Sequence, residues 1–217
     1  MNTTTYDKIC LEAKLSDGGG TPYLDEWGVT WMTSSTLAVV LVDETGVPVV
    51  GPTVTMSQKE FSFNDQTSTG VLGTSTQKIR TTNETGNPSW SLTIAATDGS
   101  TALWENSIQT EGYDLNDPTA STGDGGDGDS YGGQMVINPS VATITPKGGC
   151  SNTDLSLGSL AFFSEGITDS IVLLAAGSSA ETGCWWDMTD IDFSQSIPAA
   201  QAVDVYTVDL TLSITAQ

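Results

Sequence analysis

Large apolar residues recur at every second position in short runs, and Gly, Pro, Asn and Asp separate the runs. This is the pattern of half-buried strands. In the clearest run Tyr206, Val208, Leu210, Leu212 and Ile214 alternate with Thr207, Asp209, Thr211, Ser213 and Thr215. Side chains alternate across a strand, so one face of this run belongs to a core and the other to water. Trp27, Val29 and Trp31 share a strand face in the same way, whereas Leu37–Val42 is apolar on both faces, as in a strand covered on two sides. Further strands are expected over residues 49–57, 61–63, 74–82, 89–96, 134–138, 142–146, 155–163, 170–175 and 183–188. No amphipathic helix longer than about two turns is visible, and the mean helix of globular proteins is longer. The expected fold is all-β: a β-sandwich of about ten antiparallel strands over residues 36–217, preceded by an N-terminal extension, 1–35, with one strand.

One stretch interrupts the pattern. Residues 114–133 are rich in Asp and Gly and have too little apolar surface to pack, so they read as the longest loop. Within it Asp124, Asp127 and Asp129 are spaced by glycines. Such a segment can curl several oxygen ligands about one point, and calcium takes oxygen ligands in flexible geometry. A plain solvated loop explains the same composition.

Charge narrows the partners. Among 217 residues, 27 are Asp or Glu and six are Lys or Arg, a net charge of −21. Such a chain repels a phosphate backbone and an anionic lipid face, which excludes nucleic acid and such membranes as partners. No run of 18 apolar residues occurs, so no membrane span is expected. No basic region followed by an apolar run marks a signal peptide at the start.

The sequence contains no histidine, which removes the commonest general base, the Ser-His-Asp arrangement and most transition-metal ligation. A carboxylate pair is the remaining catalytic device, and no pair lies in a recognisable strand-end context. A non-enzymatic protein is expected. Of the three cysteines, Cys150 and Cys184 flank a segment of strands and form the preferred disulfide, leaving Cys10 free or paired between chains. The alternative is that all three are reduced and buried. Scarce Lys, strands rich in Thr, Ser and Gly, and a disulfide together place the expected site of action outside the cell, at the cell surface. Asn2-Thr3-Thr4 and Asn83-Glu84-Thr85 match a glycan acceptor pattern.

Adjacent Trp185 and Trp186 must point to opposite faces of a strand. Parity groups Trp186 with Cys184 and Met188 in the core and sets Trp185 beside Asp187. Trp185 is then a flat platform for a sugar ring or a partner protein, or it is covered by a loop or by the extension.

Phe61-Ser62-Phe63, the Thr/Gly run 67–76, Gly86-Asn87-Pro88 and Trp90-Ser91-Leu92-Thr93-Ile94 together resemble the WxL-type surface domain of bacterial cell envelopes. Ile197-Pro198-Ala199 and the run from Tyr206 to Leu212 look like that family's closing strand, although Leu210-Thr211-Leu212 stands where the family repeats its Trp-x-Leu signature. The resemblance implies attachment to cell-wall glycan, with Trp90 joining Trp185 as a candidate contact. A similar strand arrangement occurs in extracellular fibre subunits that join by donating a strand.

Two functions are therefore expected from the sequence. The first is an adhesion or wall-binding module whose partner is a surface glycan. The second is a structural subunit of an extracellular filament or layer whose partners are copies of itself. For the second, the assembly residues are Trp27, Val29 and Trp31 with Leu37, Val39 and Leu41, because an exposed apolar strand pairs with other chains unless something covers it.

Overall fold

The computed structural model describes residues 36–118 and 131–217 in full, together with the backbone of Lys8–Ser16 and Tyr23–Met32. The described chain is all-β. Its strands are β1 (Lys8–Ser16), β2 (Tyr23–Met32), β3 (Leu37–Val42), β4 (Gln66–Leu72), β5 (Lys78–Asn83), β6 (Trp90–Ala96), β7 (Leu103–Asn106), β8 (Gly112–Asp114) and β9 (Asn116–Asp117). They continue as β10 (Gly133–Asn138), β11 (Thr143–Lys147), β12 (Leu155–Leu157), β13 (Ala161–Phe162), β14 (Ser170–Ala176), β15 (Cys184–Thr189), β16 (Ile191–Ile197), β17 (Tyr206–Thr207) and β18 (Leu210–Ala216). Every pairing among them is antiparallel.

β1 and β2 form a two-stranded sheet of their own. The rest of the chain builds four sheets, in the orders β11-β15-β5-β3, β12-β14-β6-β18, β13-β10-β16-β4 with β9 added to β10, and β17-β7-β8. One apolar cluster joins them, drawing Ile79 from β5, Trp90, Leu92 and Ile94 from β6, Met135 and Ile137 from β10, Trp186 and Met188 from β15, and Ile191 and Phe193 from β16. Trp90 and Trp186 meet with ring centroids 5.8 Å apart, so β6 and β15 bring their sheets face to face. Burial alternates strictly along β6, with Trp90, Leu92, Ile94 and Ala96 inside, as a period of two requires. β14 breaks the alternation: a bulge between Val172 and Leu174 buries Leu173 and Leu174 in succession. The bulged backbone lies so close to Gly158 that a Cβ there would collide with the Val172 carbonyl.

Several strand expectations need correction. Residues 49–57 and 61–63 form no strand, because only Val54 and Met56 of that stretch turn to the core while the backbone crosses the margin of β4. The run 206–215 divides into β17, paired with β7, and β18, paired with β6. The chain changes sheet near Asp209 without changing parity, so the alternation looks unbroken in the sequence. Residues 155–163 likewise divide between β12 and β13 in different sheets. The extension carries two strands rather than one.

Cys150 and Cys184 form a disulfide with an S–S distance of 2.03 Å, tying the turn after β11 to the start of β15. No helix among the described residues is long and apolar enough to cross a membrane.

Candidate assembly edge

A strand at the margin of a sheet exposes unpaired N–H and C=O groups, and proteins blunt such margins with short strands, Pro, Lys, bulges or covering chain. Most margins of the 36–217 body follow this rule. β12, β13, β17 and β8 have three residues or fewer. β11 carries Pro146, which has no N–H to offer, and Lys147. β4 is overlain by residues 52–60: Ser57 N–H donates to the Thr69 carbonyl at 2.7 Å, and Val54 and Met56 pack inward. Gly70 leaves the room that Met56 fills, since a Cβ there would lie 2.6 Å from the Met56 sulfur.

β3 and β18 are the exceptions. They run for six and seven residues, with sequences LAVVLV and LTLSITA that contain no charge and no proline. Neither pairing breaks register. Each strand ends its sheet, and the two approach each other.

Backbone directions follow from the bonds at the strand ends. The Leu41 carbonyl accepts from Val49 N–H at 2.9 Å, on the side away from β5. By alternation, the N–H and C=O groups of Leu37 and Val39 point that way too. On β18, the Asp209 carbonyl accepts from Thr97 N–H at 2.8 Å and Gln217 N–H donates to the Ser89 carbonyl at 3.0 Å, both on the β6 side. The polar groups of Leu210, Leu212 and Ile214 therefore point outward. Residues 47–49 bridge the Val42 end of β3 on this side, and among the described residues no named strand pairs with the rest of either outward row. The side chains of Leu37, Val39, Leu41, Leu210, Leu212 and Ile214 contact the core yet stay only half-buried. This margin thus presents half-buried apolar side chains together with the outward backbone groups of Leu37, Val39, Leu210, Leu212 and Ile214, which is what an added strand needs.

The other expected site residues fall as follows. Leu37, Val39 and Leu41 lie on β3 at this opening, and Trp27, Val29 and Trp31 lie on β2. Trp185 is half-buried. Its ring covers Gly148, where a Cβ would lie 2.9 Å from the indole. The expectation of Trp90 as a ligand contact is corrected: its side chain is completely buried and has no surface to offer. Asn83 as a glycan acceptor is corrected for the same reason, because its buried amide donates to the Asn87 carbonyl at 2.9 Å. Asp124, Asp127 and Asp129 lie outside the described residues. Glu181 sits beside the disulfide and accepts from Ser151 N–H at 2.7 Å. With both sulfurs bonded to each other, Cys150, Glu181 and Cys184 provide no thiolate for a metal.

Two features escaped the sequence reading. The first is a charge cluster around the buried Asp187. Arg80 Nε and Nη2 donate to Asp187 at 2.7 and 3.0 Å, and Lys147 Nζ lies 3.7 Å from the same carboxylate. Burial pushes the Asp187 carboxyl up, but the Arg80 bonds and the fields of Arg80, Lys147 and Lys78 outweigh it and hold the group below the ordinary carboxylate value. Alternation assigned Asp187 to a wet face; pairing with Arg80 directly across β5 is what allows its burial. The signal was present, since four of the six cations lie in 59–147 and three of those fall on strands.

The second is an aromatic groove of about 660 Å³ lined by Trp104, Tyr113 and Tyr206 among others. Trp104 and Tyr113 stack at 5.9 Å, and Tyr206 meets Tyr113 edge-on at 5.1 Å. Phe61, Phe63, Val203 and Val205 stand exposed beside it, Phe63 with 80% of its surface in water. Distant sequence positions build this groove, and no local spacing announces it.

No family model, curated protein or solved structure matches the chain.

Proposed function

We propose that this protein is an extracellular, non-enzymatic structural subunit that joins other chains by strand addition at the opening between β3 and β18. The observation carrying this reading is the contrast among sheet margins. Short, proline-bearing, lysine-bearing or overlain margins surround the body, while two long, uncharged, half-covered strands end their sheets side by side. The disulfide favours an oxidising setting outside the cell. The absence of histidine and the pairing of Asp187 with Arg80 support a role without catalysis.

Electron microscopy and sedimentation of the full chain test the proposal. Regular oligomers or fibres that grow with protein concentration are expected, and a strictly monomeric protein up to about millimolar concentration overturns it.

The exposed patch of Phe61, Phe63, Val203 and Val205 beside the aromatic groove favours a second reading, adhesion to a surface glycan. Aromatic faces with polar neighbours suit a flat, amphipathic ligand. On a glycan array this reading expects a selective signal that Phe63→Ala weakens; a blank array removes it.

A further inference from the structure

The proposed function leaves open which strand enters the opening. Resting on that reading, we infer that the occupant is the β1–β2 hairpin of a second copy of this chain.

Register supplies the first argument. Ile9 lies opposite Trp31, Leu11 opposite Val29, and Ala13 opposite Trp27. Residues directly opposite in an antiparallel pair share a face of the sheet. The hairpin therefore collects Ile9, Leu11, Ala13, Trp27, Val29 and Trp31 on one face, while Lys8, Glu12, Lys14, Glu26 and Thr30 belong to the other. An isolated two-stranded sheet is marginal in water, and one with an entirely apolar face needs a surface to cover it. The hairpin strands have nine and ten residues, long enough to span the six of β3 or the seven of β18.

Chain direction supplies the second. For the hairpin to cover its own β3, the chain would have to reverse within Thr33-Ser34-Ser35-Thr36. That run contains no Gly, Pro, Asn or Asp, only Ser and Thr, whose hydroxyls favour reversal more weakly. The hairpin's own connection, Asp17-Gly18-Gly19-Gly20-Thr21-Pro22, is built for it. The sequence thus favours a hairpin directed away from its own body and towards another.

Charge supplies the third. Two copies at net −21 repel, so contact must form where negative charge is missing. β3 and β18 carry none, and on the hairpin strands Lys8 and Lys14 offset two of the three acids, Glu12, Asp25 and Glu26, so the hairpin is close to neutral in a chain that is otherwise strongly acidic. Donor and acceptor are different surfaces, so the contact is heterologous and repeats head to tail.

Two full-length variants test the inference. Leu11→Lys with Val29→Lys charges the hairpin face, and Val39→Pro removes an outward N–H from β3 without breaking a β3–β5 bond. Circular dichroism confirms that each remains folded. Each variant alone should assemble at least tenfold more weakly than the parent, whereas an equimolar mixture should yield a 1:1 heterodimer, because one copy keeps its acceptor and the other its donor. Should the parent assemble but the hairpin variant assemble equally well, the donor is another segment: the inference fails while strand addition at β3 survives. If Val39→Pro also assembles normally, the opening is not the joint and both fail. A monomeric parent whose hairpin amides are protected from exchange, with protection lost in Val39→Pro, identifies the chain's own hairpin as occupant and overturns the inference.

Discussion

At Trp186 the indole is fully buried and donates its N–H to the Ser151 carbonyl at 2.8 Å, while the N–H of Trp90, its neighbour across the core, has no hydrogen-bond partner among the described residues. Both Trp→Ala variants should cost about 3–5 kcal/mol in denaturant unfolding, the usual range for large core truncations. The two Trp→Phe variants should differ. Trp186→Phe strips a hydrogen bond and is expected to cost about 1 kcal/mol more than Trp90→Phe. Trp185→Ala, at a half-buried site, should cost less than either alanine variant of the buried pair. Asp187→Asn should destabilise by about 3 kcal/mol, since removing one partner leaves a charge without its counter-ion. The pH dependence has a definite sign. The folded carboxyl titrates below its ordinary value of 3.8, so its stabilisation is present above that value and is lost as pH falls through the lower folded one. Acid unfolding curves should therefore show a smaller loss below about pH 4 for Asp187→Asn than for the parent.

At the scale of elements, β3 was legible to the residue, and β6, β10, β14 and β15 to within a residue or two at each end. These strands carry their apolar residues in phase with one buried face or two. β4 was not legible, because its core-facing positions hold Ser68, Gly70 and Leu72, and glycine there makes room for Met56 instead of packing a side chain. β16 alternates Ile191, Phe193 and Gln195 inward, and a buried glutamine hides the period. That glutamine is satisfied by the Asp114 carbonyl at 2.8 Å and by the Trp104 N–H at 2.9 Å, partners that only the fold brings near. The disulfide was legible from its position beside strand ends. It closes a separation of 34 residues, so reduction should lower stability by roughly 3–4 kcal/mol on the loop-entropy model. Thermal unfolding with and without reductant checks this. An unchanged midpoint would mean that the reduced, unfolded chain keeps comparable order.

For the whole molecule, a net charge of −21 opposes any association between copies, and salt screens it over about 8–10 Å at 0.1–0.15 M. Assembly should strengthen as ionic strength rises from about 0.01 to 0.5 M, because an apolar, backbone-bonded joint keeps its attraction while the repulsion fades. A joint made of ion pairs would weaken instead, and sedimentation across a salt series separates the two. The central claim, that a strand from outside the body completes the β3–β18 opening, is tested most directly by amide hydrogen exchange. Peptides covering 37–42 and 210–216 are compared between dilute monomer and concentrated assembly. The outward N–H groups of Leu37 and Val39, or of Leu212 and Ile214, should exchange freely in the monomer and become protected in the assembly. Identical exchange in an assembly formed by the same protein would contradict the account, because the copies would then be joined elsewhere.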